Sequence, residues 1–546
     1  MKHAKKLASL LLALVMVFAL TTTAFAEETT YSITINNSAE GHTYEAYQIF
    51  TGDLATNEAG NKVLSNIVWG SGVSEEGKTA LQNKYDTAEA KSAAGVAEAL
   101  TTANAEQFAK DVASYLTSTK VTSTYNASSK SYTISGLDAG YYLVKDQDGS
   151  LTGDADAYTE YIIKVVGDTT ATPKSSVPTV EKKVKDTNDS TGATSGWQDS
   201  ADYDIGDSVP FQLKATLADN VSAYTTYKVV FHDTLSKGLT YNNDAVVKVG
   251  ENVVFNAKDA SQNKTGVSVS YEGNVLTVTI LDVKAAGIGG TNNSVVTVDY
   301  TAKLNENAVL GSAGNPNEVY LEYSNNPNKS EEGNNETGNT PKDVVIVFTY
   351  KTIINKVTKN PDYDASKDTG KTGTDSDGNK EFIPLKDAGF TLYKKNASGA
   401  YVAVGEELKG ADMTTFTWSG LDDGQYKLTE TKTPAGYNTI DPIYFVIEAT
   451  HDETADAPTL ETLNAYLTDA NGKKQTEMKD GESVNIDLGT VDPTAGSITT
   501  TVVNNAGSTL PETGGIGTTI FYVLGSVLLV GAAVLLITKK RMSAQK

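Results

Sequence analysis

Cysteine is absent from this 546-residue chain, and histidine is rare, with four residues. Without cysteine the chain forms neither disulfides nor thiolate metal sites. No Gly-x-Ser-x-Gly nucleophile elbow occurs, and His42, His232 and His451 lie far apart without metal-ligand spacing. We therefore expect no enzyme, metal centre or cofactor, and a stabilising cross-link of another kind if the protein is exported.

Basic residues are also scarce, because 45 Lys and Arg face 68 Asp and Glu, giving a net charge of −23. So acidic a chain is a poor match for phosphate backbones, which excludes nucleic acid as a partner. The abundance of Thr, Val, Tyr, Asn and Gly is typical of β-sandwiches built from short strands. The length predicts several such domains rather than a single core.

The N-terminus carries an export signal. Lys2, Lys5 and Lys6 precede an apolar run from Leu7 to Leu20, and Ala24-Phe25-Ala26 forms a small-x-small cleavage site. We predict a signal peptide over residues 1–26 and a secreted protein that begins at Glu27.

The C-terminus carries a second signal. Leu510-Pro511-Glu512-Thr513-Gly514 precedes an uncharged apolar run over 516–538, and Lys539-Lys540-Arg541 follows it. A run of about 20 apolar residues spans a bilayer as a helix. The basic cluster favours the cytoplasmic side, so the bulk of the protein should lie outside the cell.

This order of motif, transmembrane span and basic tail resembles the cell-wall sorting signal of Gram-positive surface proteins. In that family a sortase cysteine attacks the threonine carbonyl, here Thr513, and releases the segment from Gly514 onward. The resemblance implies recognition through the five motif residues, a transient membrane anchor, and transfer of Thr513 to an amine, such as that of a peptidoglycan precursor in the cell wall.

Strand alternation and turn-rich segments divide the rest of the chain. The predicted fold is mainly β, with tandem immunoglobulin-like β-sandwiches and a helical insertion in the first, over about residues 74–116. Asn104 is the predicted cap of the last inserted helix. The predicted boundaries are 1–26 for the signal peptide, 27–173, 174–343 and 344–505 for three domains, and 506–546 for the sorting signal.

The third domain contains an acidic residue in a core strand. Tyr426, Leu428 and Glu430 share one strand face, which places a carboxyl group among core residues, where its charge is costly. The stretch from Tyr426 to Tyr437 resembles the E-box of pilin and collagen-adhesin B-type domains, in which the glutamate promotes a spontaneous Lys–Asn isopeptide bond. By this resemblance the partners are Lys356 and Asn504, with Asn505 as the alternative.

The middle domain offers a similar trio, in which each polar residue alternates with apolar neighbours on a predicted strand. Lys182 lies between Val180 and Val184, and Asp233 follows Phe231. Asn317 begins a third alternating strand. Middle domains of the same family are similar and use Asp in place of Glu. The trio is therefore Lys182, Asp233 and Asn317, with Lys183 left open as the alternative nucleophile.

The first domain lacks part of this set. A weak internal repeat aligns Ser135–Tyr142 with Ser419–Tyr426, which puts Asp146 opposite Glu430. The opening strand over residues 31–36 has no lysine. We predict no cross-link in this domain.

Between the first two domains, Thr172-Pro173-Lys174 lies in a proline-marked linker, where Lys174 should be exposed. The segment resembles the Tyr-Pro-Lys-Asn pilin motif of sortase-built fimbriae, with Thr172 in place of Tyr and Ser175 in place of Asn. In that family the lysine amine accepts the threonine acyl group of the neighbouring subunit.

Taken together, the motifs resemble those of major, or backbone, pilins with collagen-adhesin A- and B-type domains. The resemblance implies a covalent filament in which Thr513 is joined to Lys174 of the next subunit. Its implied partners are pilin-type and wall-anchoring sortases, identical subunits and minor pilins; the adhesion ligand stays open. The alternative is a wall-anchored adhesin, or a tip or base pilin, that does not polymerise.

One loop leaves a metal question open. Asp375-Ser376-Asp377-Gly378-Asn379 has the composition of a calcium loop, but its ligand order and the missing closing glutamate do not fit an EF-hand. A solvated turn is the better interpretation.

Overall fold

The chain folds into successive pairs of β-sheets, which confirms the mainly β prediction. The computed structural model describes residues 30–101, 103–151, 156–172, 176–331, 333, 335–368, 370, 373–479 and 482–507. No helix among these residues is long and apolar enough to cross a membrane. The predicted signal peptide, sorting motif and span over 516–538 lie outside the described residues, as does Lys174.

The first unit packs a sheet of order β5-β6-β1-β9 against one of order β3-β2-β7-β8, with β4 beside β2. Alternation in β1 puts Tyr31, Ile33 and Ile35 into the core. The strands are β1 Tyr31–Ile35, β2 Tyr44–Thr56, β3 Lys62–Trp69, β4 Val121–Thr122, β5 Thr124–Asn126, β6 Ser131–Leu137, β7 Gly140–Asp146, β8 Glu160–Val165 and β9 Thr169–Ala171.

Three helices form the insertion of this unit: α1 Glu75–Tyr85, α2 Ala93–Ala99 and α3 Ala105–Ala113. The side chains of Ser74 and Ser92 cap the first two by accepting backbone N–H groups. Asn104 precedes α3, but its Oδ1 accepts from the backbone N of Thr101 at 2.7 Å instead of capping the helix. The helix still packs inward through Phe108.

The middle unit is the largest sandwich. One sheet has the order β10-β14-β21-β17-β18 with β16 beside β21, and the facing sheet has the order β13-β24-β22-β15-β20-β19 with β23 beside β22. The strands are β10 Thr179–Val184, β11 Thr187–Asn188, β12 Ala193–Thr194, β13 Ser200–Asp202, β14 Ser208–Thr216, β15 Val229–Leu235, β16 Leu239–Tyr241, β17 Val246–Val249, β18 Asn252–Asn256, β19 Val267–Glu272, β20 Val275–Ile280, β21 Val295–Leu304, β22 Asn315–Ser324, β23 Thr337–Asn339 and β24 Asp343–Phe348.

The third unit packs a sheet of order β26-β25-β37-β36, with β30 beside β25, against one of order β28-β27-β31-β32-β33, with β29 beside β27. Its first and last strands, β25 and β37, pair in parallel. The strands are β25 Tyr350–Lys359, β26 Phe382–Pro384, β27 Gly389–Lys395, β28 Tyr401–Ala403, β29 Leu408–Lys409, β30 Thr415–Leu421, β31 Gly424–Lys432, β32 Ile443–His451, β33 Leu460–Thr468, β34 Thr476–Lys479, β35 Glu482–Asn485, β36 Thr490–Asp492 and β37 Ser497–Asn504.

Strand β24 links the last two units. It pairs with β13 and β22 and so belongs to the middle sandwich, whereas the predicted boundary at residue 343 falls at its first residue. Only Thr349 separates it from β25. The connection is too short to act as a flexible linker, so the two sandwiches are joined almost strand to strand.

Candidate cross-linking sites

In the third unit, three strands bring Lys356, Glu430 and Asn504 together inside the core. Lys356 lies on the inner face of β25 and Asn504 on that of β37, in one sheet. Glu430 projects from β31 of the facing sheet, on the same face as Tyr426 and Leu428. All three side chains are buried, and those of Lys356 and Asn504 are fully so.

Hydrogen bonds connect these three groups into one chain. Lys356 Nζ donates to Asn504 Oδ1 and, at 3.2 Å, to the backbone carbonyl of Val502. Asn504 Nδ2 donates to both carboxylate oxygens of Glu430, at 2.8 and 3.1 Å. Lys356 Nζ lies 4.0 Å from Glu430 Oε1. The amine therefore lies against the carboxamide that it would attack, with the acid on the nitrogen that would leave.

Burial makes the lysine a better nucleophile. Desolvation disfavours the ammonium form and lowers the pKa of Lys356 to about 8, although the charge of Glu430 opposes the shift. Roughly a tenth of the amine is therefore neutral at pH 7, far more than for an exposed lysine.

In the middle unit, the second trio lies between the two sheets. Lys182 points inward from β10, while Asp233 on β15 and Asn317 on β22 point inward from the facing sheet. All three side chains are fully buried. Lys182 Nζ lies 2.5 Å from Asp233 Oδ1.

Sequence reasoning missed a fourth member of this site, Tyr300 on β21. Its hydroxyl accepts hydrogen bonds from Lys182 Nζ at 3.0 Å and from Asn317 Nδ2 at 2.8 Å, and it donates to Asp233 Oδ2 at 2.5 Å. The sequence signal that could have revealed it is a tyrosine at a core-facing position of an alternating strand, because a buried hydroxyl needs a hydrogen-bond partner.

Burial favours neutral forms of the charged pair. It lowers the pKa of Lys182 and raises the pKa of Asp233, although each group's charge opposes the other's shift. Both directions favour a free amine beside a protonated acid, which is the state that a condensation requires.

The two alternative residues lie elsewhere. Lys183 points away from the core, and its Nζ lies 2.5 Å from Asp199 Oδ1. Asn505 is exposed, whereas Asn504 is fully buried. The structure therefore places Lys182 and Asn504 inside the two buried clusters and Lys183 and Asn505 outside them.

The first unit uses its acid differently. Asp146 is buried at the position that matches Glu430, but its Oδ1 lies 2.7 Å from Nδ1 of His42. Its Oδ2 accepts from the backbone N and the hydroxyl of Thr159, at 2.8 and 3.0 Å. Both oxygens are engaged, and among the described residues neither contacts a lysine. That this domain forms no cross-link stays a prediction.

A cluster of charged residues joins the middle and third units. Lys394 Nζ contacts Asp189 at 3.0 Å, Asp204 at 2.7 Å, and Asp422. Although burial opposes its charge, Asp422 and Asp204 raise the pKa of Lys394. The ammonium thus occupies the point where these three carboxylates converge.

A histidine forms a second contact across the same joint. His451 Nδ1 lies 2.6 Å from Ser200 Oγ, and its Nε2 lies 3.4 Å from Asp186 Oδ2. Asp186, Asp202 and His451 are close enough to share a cation, but their contacts are equally those of a polar domain interface. In the loop flagged by the sequence, Asp375 accepts backbone N–H groups of Asp377 and Asn379 and so closes a turn.

Comparison with known families identifies the modules around these sites. Residues 205–327 match the Gram-positive pilin backbone subunit 2, Cna-B-like domain; residues 368–461 match a prealbumin-like fold domain; and residues 502–543 match the LPXTG cell wall anchor motif. The chain thus carries a pilin backbone module, a prealbumin-like module and a cell-wall anchor motif. The anchor motif and the pilin module indicate a secreted, cell-wall-anchored pilus subunit.

The chain is also similar to individual proteins. It is 24% identical over 427 residues to the trypsin-resistant surface T6 protein of Streptococcus pyogenes serotype M6, covering 68% of this chain and 70% of that protein. The solved T6 backbone pilin of serotype M6 Streptococcus pyogenes, described as a modular three-domain structure, superposes with a TM-score of 0.53 at 17% identity, over 89% of this chain and 100% of that one. The major pilin SpaD of Corynebacterium diphtheriae gives a TM-score of 0.45 at 18% identity, over 89% and 99%.

Proposed function

We propose that this chain is a backbone pilin, the major shaft subunit of a sortase-polymerised fimbria, and that its middle and third domains are cross-linked by autocatalytic Lys–Asn isopeptide bonds. The bonds join Lys182 to Asn317 and Lys356 to Asn504. One observation carries the cross-link proposal: the fully buried Lys356 amine donates to Asn504, whose amide nitrogen is bound by Glu430.

The chemistry is a condensation that needs no cofactor. The neutral Lys356 amine attacks Cγ of Asn504, the new C–N bond forms, and the bond from Cγ to Nδ2 breaks. One proton passes from Nζ to Nδ2 through the carboxyl group of Glu430, and ammonia leaves. The fixed geometry supplies a large effective concentration of the reacting groups. Asp233 takes the place of Glu430 in the middle domain.

Polymerisation would use Thr513 at the C-terminal end of the exported chain and Lys174 in the linker between its first two domains. A pilin-type sortase would cleave after Thr513 and transfer its acyl group to Lys174 of the next subunit; a wall-anchoring sortase would transfer the last subunit to a peptidoglycan precursor. Because the two joined surfaces differ, the contact is heterologous and gives an open filament. The near-continuous junction of β24 with β25 supports a stiff subunit.

Intact mass tests the cross-links. Each bond releases one ammonia, so the exported chain, residues 27–513, should weigh about 34 Da less than its residues sum to. In Lys182→Ala the deficit relative to the variant's own sequence mass should shrink by about 17 Da. In Lys183→Ala, one residue along the same strand, the deficit should not change. A wild-type chain of full sequence mass would overturn the cross-link proposal.

Wall extracts test the shaft assignment. Lys174→Ala should abolish the high-mass ladder in cell-wall digests while leaving the monomer anchored. Lys185→Ala is the control. This lysine lies over the Trp197 ring in the middle unit, and the ladder should persist in the variant. If the ladder persists in Lys174→Ala, or if the wild type gives a single wall-linked species, the chain is a non-polymerising adhesin or a tip or base pilin.

A further inference from the structure

Tyr300 lies at the centre of the middle-domain site. Three groups meet at its hydroxyl: Lys182 Nζ and Asn317 Nδ2 donate to it, and it donates to Asp233. All of these side chains are buried. The nucleophile, the electrophile and the acid therefore share one hydrogen-bonding atom.

The third-domain site has a more direct arrangement. There Glu430 itself binds Asn504 Nδ2 through both oxygens. An aspartate side chain is one methylene shorter, and among the described residues no hydrogen bond joins Asp233 to Asn317. The Tyr300 hydroxyl spans that gap, at 2.5 Å from Asp233 and 2.8 Å from Asn317.

The contacts of the Asn317 carboxamide point to its nitrogen as the place of activation. Asn317 Oδ1 accepts no hydrogen bond from the residues that the structure describes. Its Nδ2 bonds to Tyr300. A buried carbonyl without a donor is not polarised by the protein, so help for the reaction has to come through the leaving nitrogen.

We propose that Tyr300 is a catalytic residue of the middle-domain condensation, carrying a proton from Asp233 to Nδ2 of Asn317. The inference rests on the proposed Lys182–Asn317 bond. As the Lys182 amine attacks Cγ of Asn317, Asp233 accepts one proton from Nζ at Oδ1. The carboxyl proton that Asp233 holds at Oδ2 passes to the Tyr300 oxygen, while the Tyr300 hydroxyl, turned toward the leaving nitrogen, gives its own proton to Nδ2. Ammonia leaves, Tyr300 ends as it began, and Asp233 again holds one proton, now at Oδ1.

The protonation states support this relay. Burial raises the pKa of Tyr300, and the charge of Asp233 adds to the shift, so the hydroxyl gives up its proton only as it receives another. Burial also raises the pKa of Asp233, which keeps a proton available.

The test follows both bonds during refolding of one chain. Residues 27–513 isolated unfolded and unreacted are diluted into native buffer, quenched at intervals, and analysed by intact mass and peptide mapping. Tyr300→Phe should slow the Lys182–Asn317 bond by about 100-fold, the scale of a lost proton-transfer group. The Lys356–Asn504 bond of the same molecules should form at the wild-type rate and shows that the chain has folded.

Tyr241→Phe is the matched control, because Tyr241 is buried in the same core with its ring 5.8 Å from that of Tyr300. Its hydroxyl accepts from the backbone N of Ala245 and contacts none of the reacting groups. This variant should form both bonds at the wild-type rate. If Tyr300→Phe also does so, the relay is wrong while the cross-links stand; if the wild type loses no ammonia, the cross-link proposal itself fails.

Discussion

Lys356 and Asn504 lie on neighbouring parallel strands, two positions apart in register, yet 148 residues apart along the chain. They stand on the first and the last strand of the third sandwich. A bond between them would close almost the entire domain into a loop, so its effect on stability should be large.

Loss of this bond should lower the stability of the third domain. Asn504→Ala removes the electrophile, and closing a loop of this length contributes about 4–5 kcal/mol on the chain-entropy estimate. For a domain of this size the melting temperature should fall by roughly 10–20 °C. Differential scanning calorimetry, with intact mass on the same sample, measures both effects.

The adjacent asparagine provides the control for that experiment. Asn505→Ala changes an exposed residue, so both the mass deficit and the melting temperature should stay at the wild-type values. If the mass deficit of the third-domain bond were lost in Asn505→Ala and kept in Asn504→Ala, Asn505 would be the residue that forms the bond.

The pH dependence of bond formation tests the protonation state of the Lys356 amine. Burial lowers its pKa to about 8, so the neutral, nucleophilic form increases as pH rises to that value. The rate during refolding should rise about tenfold per pH unit from pH 6 to 7 and level off above about pH 8. A rate that is flat from pH 6 to 8 would show that deprotonation of Lys356 does not limit the condensation.

The joint between the middle and third units should be more stable at mildly acidic pH. Burial raises the pKa of Asp207 and of Asp423 to about 6, assisted by Asp204 and Asp189 for the former and by Asp186 for the latter. Their unfolded pKa lies near 3.9, so the folded state binds protons more tightly. This contribution is full below about pH 4 and is lost as pH rises through about 6.

Calorimetry at pH 5 and pH 8 checks this. The melting temperature of the coupled transition should be higher at pH 5, and the difference should shrink when Asp207 and Asp423 are both changed to Asn. Asp412→Asn, an exposed acid of the third unit paired with Lys386, should leave the difference intact. A wild-type protein more stable at pH 8 would contradict the assignment.

Much of this architecture follows from local patterns in the chain. Strict alternation around Lys182 is enough to turn it inward, because Val180 and Val184 share its face. Alternation does not assign a face where apolar residues lie on both faces of a strand, as near Asn504 and Asn505. There only the packed sheets show which of the two residues is buried.

Contacts between sheets and between domains were beyond sequence reasoning. Tyr300 reaches Asp233 across the core, and its role depends on how two sheets face each other rather than on any strand period. Lys394 meets Asp204 from 190 residues away. Strand β24 lies in the middle sandwich because it pairs with β22. From the sequence alone, the same residues could equally well begin the third domain.

The positions of the two lysine–asparagine pairs determine how a fimbria of such subunits would bear a pull. Force entering at Lys174 would cross each sandwich through its amide staple, so residues 183–316 and 357–503 would be bypassed. Between the two cross-links, the stretch over 318–355, which contains β24 and the direct passage into β25, would carry the force and could extend by about 3.3–3.6 Å for each residue released. The first sandwich precedes Lys174 in the chain and would lie outside the path of the force. Its His42–Asp146 pair would therefore bear no tension.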